Sequence, residues 1–294
     1  VEDRSYLEAF GIGCTGKEEQ LWSELKASAG LDNPLEWSHS FAQITWRLHP
    51  VAAVADLQQR AASGKLTPEE RKQALDTLAF IPDATSAKAV LAVAKDKASP
   101  IHESAMWWLI KRSTDEWSTF GIAEELKKEG IFDPESAKLV EIVTPPAIPS
   151  AVKVEEVLKL NGNPKNGAQL VTRCVMCHQI NGQGVEFGPN LDGWGRGQPT
   201  EIVAQALVEP SKDIAHGYDG QEFLLKDGTK IHGMLLTEGD IMIVRSMGGV
   251  NQYVPKTRIK SRAKLTSSMM LSATQLGLSA QDVADIVAYL RTGK

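Results

Sequence analysis

The chain has 294 residues and a mass of 32.0 kDa, room for two domains of ordinary size. Its 42% hydrophobic and 23% charged residues belong to a folded globular protein, not a disordered one, and no apolar run approaches the ~18 residues of a membrane span. The net charge of −5 is unevenly spread, with 16 basic and 23 acidic residues in 1–150 against 16 and 14 in 151–294, so nowhere is there the basic excess of a nucleic-acid binder.

The opening Val1-Glu2-Asp3 has no basic, apolar leader character, so any signal peptide is expected to have been removed ahead of it. Residues 1–143 read as helices throughout. Ala, Leu, Glu and Lys dominate, apolar residues recur at three- and four-residue spacing, and six of the seven tryptophans lie here. Pro50 and Pro82, and likewise Thr67-Pro68 and Ser99-Pro100, mark helix starts 32 residues apart. The expected unit is a pair of short antiparallel helices, Val51–Ala62 with Glu69–Phe80 and then Ala84–Lys95 with Ile101–Arg112. A period of that size suggests a HEAT-like stack. Paired acids such as Glu69-Glu70 and Glu124-Glu125 read as solvated helix faces, and no catalytic constellation is apparent.

Thr144–Ser150 contains three prolines and reads as an extended linker, which places the domain boundary at 144–150. Beyond it, helices are expected at Val152–Leu160, at Gly167–Arg173, at Glu201–Val208 and at Ala280–Arg291. Strand-like runs at 221–226, 229–237, 241–247 and 250–254 are separated by Asp227-Gly228, Glu238-Gly239-Asp240 and Gly248-Gly249. Those are hairpin signals, so an antiparallel β-meander at about 219–264 is expected inside a helical domain. Lys256, Arg258, Lys260, Arg262 and Lys264 alternate and would line one face of a strand. The fold class is therefore mainly α: a helical-repeat domain, then a domain of 151–294 with a β insertion.

Three cysteines are too few for a disulfide framework, but two lie in Cys174-Val175-Met176-Cys177-His178. Cys-x-x-Cys-His is the attachment sequence of a c-type haem. One helical turn presents both thiols to the two vinyl groups of one porphyrin, and His178 then projects at the iron. A redox dithiol would not need the adjacent His, and a zinc site would need two more Cys or His ligands nearby. Metal-bound imidazoles donate their other N–H to an acceptor, and a carbonyl of the loop around Pro189 is the expected one. Leu191 and Trp194 follow as candidates to pack on the porphyrin. The apolar stripe Val283, Ile286, Val287, Tyr289 and Leu290 would cover it. Of the methionines after His178 that could supply a sixth ligand, Met234, Met242 and Met247 lie in expected strands and Met269 and Met270 in the loop just before the final helix. A peroxidase-like site, with an open sixth position and His216 or His232 near the iron, is the alternative from another class. So is a protein-binding helical scaffold with a redox-sensing haem.

Gly167 to His178, the loop Gly188-Pro189-Asn190-Leu191 and the closing Ala288-Tyr289-Leu290 resemble cytochrome c domains. More closely, the chain resembles the large family of haem-binding, dehydrogenase-associated domains of planctomycete and verrucomicrobial multidomain proteins. The residues concerned are Asp3–Ile12, Trp46–Pro50, Ala74–Phe80, Ala105–Leu109, Pro210-Ser211, Ile214 and Gly217-Tyr218. Ser5, where that family has Trp, and Leu271, where it has Pro, depart from its pattern. The resemblance implies one covalent haem c and an extracytoplasmic or periplasmic location. It also implies an electron-transfer role without catalytic residues of its own, and electrons arriving from a quinoprotein-like dehydrogenase domain or partner. The family's Ser-x-Met-Pro motif aligns with Ser268–Leu271 and puts the sixth ligand at Met270.

Overall fold

A computed structural model describes residues 3–292; Val1, Glu2, Gly293 and Lys294 lie outside the described residues. The chain divides into two compact units, 1–133 and 134–294.

The first unit is helical: α1 (Arg4–Gly13), α2 (Glu18–Ser28), α3 (His39–Leu48), α4 (Val54–Ala62), α5 (Pro68–Phe80), α6 (Ala84–Lys95), α7 (His102–Ser113) and α8 (Ile122–Lys128). Short polar residues set the starts. Thr67 and Glu70 form a reciprocal capping box with Pro68 at the first helical position, and Asp83 accepts from the Thr85 amide to start α6. The prolines at 50 and 100 act differently from expectation. Pro50 precedes a 3-10 turn (Val51–Ala53) before α4, and Ser99-Pro100 lies ahead of a start at His102. Helices α4 and α5 pack together, as do α6 and α7, around buried Leu57, Leu75, Leu78, Ile81, Leu109 and Ile110.

His49 ends α3 in a left-handed conformation, its ring stacked on Phe80 at 5.4 Å and edge-on to Trp46. Burial, reinforced by the charges of Arg47 and Arg112, pushes its pKa from 6.5 down to about 4. The folded state therefore keeps His49 neutral while the unfolded chain takes up a proton as pH falls below 6.5. Stability falls across pH 6.5 to 4 by about 2 kcal/mol, a figure reduced from ~1.4 kcal/mol per pH unit because the ring is partly solvated. Urea unfolding of the whole protein, followed by tryptophan fluorescence at pH 7 and pH 4.5, should show this loss. His49→Asn, which keeps the left-handed cap, should flatten it.

In the second unit the division falls between Asp133 and Pro134 rather than at the proline run. The reason is that residues before the prolines are built into the sheet that follows. Ile142 forms a parallel bridge with Ile231, the Val140 amide donates to Gln252 Oε1, and Arg258 donates to the Ala137 carbonyl.

Helices α9 (Val154–Val157), α10 (Pro164–Leu170), α11 (Thr200–Val208) and α12 (Ala280–Thr292) make the helical part. The helix expected over 152–160 is a single turn. Gly167 is where α10 crosses α12: a Cβ there would lie 2.7 Å from both the Asp285 carbonyl carbon and Tyr289 Cβ, so only glycine allows the approach. The crossing is fastened by buried Asp285, whose carboxylate accepts from the Asn163 amide (2.7 Å) and from Gln281 (2.8 Å).

Two residue pairs, β1 (Gln179–Ile180) and β2 (Gln183–Gly184), form a small ribbon after the Cys-His motif. The insertion is a five-stranded antiparallel sheet of β3 (Gly220–Leu225), β4 (Lys230–Thr237), β5 (Ile241–Ser246), β6 (Val250–Pro255) and β7 (Ile259–Lys264), in the order β6-β5-β4-β3-β7. Four strands fall where the alternation and the Asp-Gly turn place them. The fifth returns to pair with β3. The basic series does not form one strip: Lys256–Arg258 is a 3-10 turn with Arg258 turned to Ala137 and Asp227. Lys260, Arg262 and Lys264 occupy the edge strand, where exposed charge opposes pairing with another sheet.

Candidate haem-attachment site

The motif is carried by a 3-10 segment, Val171–Met176, that continues from α10 without a break. The Cys177 and His178 amides both donate to the Cys174 carbonyl, at 3.0 and 2.8 Å. This tight turn sets the two thiols and the imidazole on one bend of five residues. Both cysteines are half-buried free thiols. Burial first, and for Cys174 also the neighbouring Cys177, raises their pKa values, to about 11 for Cys174.

His178 is buried, and its Nδ1 lies 2.7 Å from the Pro189 carbonyl. A carbonyl can only accept, so Nδ1 carries the proton. Nε2 is then the unprotonated nitrogen, with no hydrogen-bond partner among the described residues. Burial lowers the pKa of His178 more than the Pro189 bond raises it, which favours the neutral imidazole that a metal requires. The expected acceptor for the second ring nitrogen is thus at the Pro189 carbonyl itself.

The loop is held by its own backbone. The Val185 amide donates to the Val175 carbonyl, and the Phe187 and Gly188 amides converge on the Cys177 carbonyl at 3.1 and 2.6 Å. Gly188 lies flat against the imidazole, where a Cβ would come 2.6 Å from Nδ1 and 2.9 Å from Nε2. The sequence shows Gly188 only as part of a loop motif. Its steric role needs the ring orientation, which the sequence does not display.

The other expected residues gather in two groups. Cys174, Leu191, Trp194, Met270 and Tyr289 all pack, half-buried, against the core built from Val203, Leu207, Ala273, Val283, Ile286 and Val287. The Tyr289 hydroxyl also accepts from Asn181 at 2.8 Å. Cys177 instead meets a second cluster of Phe187, Met234 and Met269, with Val185 and Met247 beside it. Met269 is buried, and Met270 is not.

His232 and His216 do not join either group. The Thr144 amide donates to His232 Nδ1 (3.1 Å), so Nε2 bears the proton and donates to Glu222 (3.1 Å). Both nitrogens of His232 are engaged within the sheet. His216 is exposed on the loop before β3. Among the described residues no group of three or more His, Cys, Asp or Glu side chains could hold a bare metal ion, as a structural zinc site would need. Nor is any described helix long and apolar enough to cross a membrane.

The residues present fit a covalently attached haem. Two unpaired thiols are within one turn, the imidazole has its Nε2 free and its Nδ1 fixed, and a glycine clears the ring face. No curated protein matches the chain. The family model for cytochrome c matches residues 164–240, a stretch that begins at α10, takes in both thiols, His178 and Pro189, and ends within the sheet. Over residues 164–240 the chain is therefore similar to a cytochrome c domain.

Proposed function

We propose that this protein is an electron-transfer cytochrome carrying one covalent haem c. Cys174 and Cys177 would supply the thioethers, His178 Nε2 the proximal ligand and Met270 the sixth. Attachment needs no oxidant: each thiol adds across a vinyl group, its sulfur bonding to one carbon and its proton passing to the other. Iron in the haem supplies the one-electron chemistry, and the protein's part is to bind, orient and shield it. The observation that carries this reading is the His178–Pro189 bond beside two free thiols, because it presents an unprotonated nitrogen from the same turn that presents both sulfurs.

Met270 is favoured over Met269 because it shares a core with Cys174, Leu191 and Trp194. Met269 is committed to packing against Phe187 and Met234. Leu191, Trp194 and Tyr289 are assigned to the haem surroundings. The helix pairs α4/α5 and α6/α7 support a HEAT-like stack that docks a redox partner, a dehydrogenase domain or subunit, through its acidic surface in the periplasm or another extracytoplasmic space. The engagement of both His232 nitrogens argues against a peroxidase role for that residue.

Expression with haem-attachment machinery should give a protein heavier than the polypeptide by one haem. Cys174→Ala and Cys177→Ala should each retain haem through one bond only, and the double variant should lose it on acid extraction. Mass spectrometry showing only the bare polypeptide in the unaltered protein would refute the proposal.

A further inference from the structure

The β insertion reaches the attachment site through Met234 of β4, in the cluster beside Cys177, and through the tip of the β5–β6 hairpin. There the Gly248 backbone N–H lies at the Cys177 sulfur and lowers its pKa against the rise that burial causes. Gly248 and Gly249 both have positive φ, 81° and 76°, so the tip is a tight turn that side-chain-bearing residues rarely adopt. A Cβ on Gly249 would overlap Val185 Cγ1, so the tip lies directly on the loop that follows the motif. Just behind it, Arg245 donates to the Glu186 carbonyl at 2.9 Å, faces the Glu186 carboxylate at 3.6 Å, and is steadied by Asn251 at 3.1 Å. Met247, in the same turn, packs against the Phe187, Met234 and Met269 cluster that Cys177 also meets. By contrast, the β3–β4 tip at Gly228, also at positive φ (94°), has nothing within 4 Å of where its Cβ would be.

We infer that the β5–β6 hairpin tip is a wall of the haem site, held by Arg245 as a positioning residue, that covers the Cys177 thioether and keeps water from that edge of the porphyrin. The inference rests on the proposed attachment at Cys177. Apolar cover around a haem disfavours the extra positive charge of the ferric state, so it holds the reduction potential up. Removing the cover lowers the potential without touching an iron ligand.

The experiment compares Arg245→Ala, which releases the Glu186 carbonyl, and Gly249→Ala, which pushes the tip off Val185, with Gly228→Ala, which strains a hairpin tip of the same sheet at a glycine that faces open space. Each is made in the full chain, checked for fold by circular dichroism and titrated potentiometrically. The expected result is a negative shift in both Arg245→Ala and Gly249→Ala, with Gly228→Ala at the unaltered potential. A shift in only one of the two narrows the clamp to that residue. Unaltered potentials in both, or an equal shift in Gly228→Ala, overturn the inference. Absence of covalent haem from the unaltered protein would instead remove the reading on which it rests.

Discussion

A Gly188→Val protein should keep its haem on the two cysteines yet lose the bond between His178 and the iron. The glycine faces the imidazole, and even a methyl group would sit 2.6 Å from Nδ1. The ring has little room to yield, because Nδ1 is bonded to the Pro189 carbonyl and the loop's amides are fixed on the Cys177 carbonyl. Forcing a side chain into such a space typically costs about 1–3 kcal/mol, and here the strain falls on the ring–carbonyl bond. Optical and electron-paramagnetic spectra should show a high-spin or mixed population in place of a single low-spin haem. A purely low-spin spectrum like that of the unaltered protein would show that the ring is not seated against Gly188.

Met270→Ala should remove the weak far-red sulfur-to-iron band of the oxidised protein and lower its potential, because thioether ligation favours the ferrous state. Thermal stability should change little, since Met270 is half-buried at the margin of its core. Met269→Ala is the complementary case. That side chain is 4% exposed, with its Cγ and sulfur both close to Gly220 and the residue clustered with Phe187 and Met234. Its loss should cost about 2–4 kcal/mol through the cavity it leaves, while the far-red band persists. The opposite assignment of band and stability would exchange the two methionines. The loop geometry makes the pair separable: the Met270 amide is tied to Ser268 Oγ at 3.1 Å, and the Ser268 amide to Ser211 Oγ at 3.0 Å.

Local signals made much of this legible. Thr67, Glu70 and Asp83 specify helix starts by hydrogen bonds within three residues, and Asp227-Gly228 specifies a turn the same way. The Cys-x-x-Cys-His turn is equally local, and its carbonyl acceptor lies on the expected loop. What escaped the sequence depends on contacts between distant segments. The helical reading of residues 1–143 fails after α8, over 129–143, because nothing in those residues announces that Ile142 will fill the place beside Ile231. The basic series alternates like a strand, but the turn after Pro255 and the pull of Ala137 and Asp227 on Arg258 break it. The meeting of Gly248 with Cys177 joins segments of no shared pattern.

The strap of residues 137–144 also bears on the order in which the protein is made. It leaves the ribosome before the cysteines, yet its partners Ile231, Gln252 and Arg258 emerge long after them. Closing such long loops is slow, whereas the β3–β4, β4–β5 and β5–β6 pairings join near neighbours in the chain. The strap is thus laid last, on hairpins that pair without it.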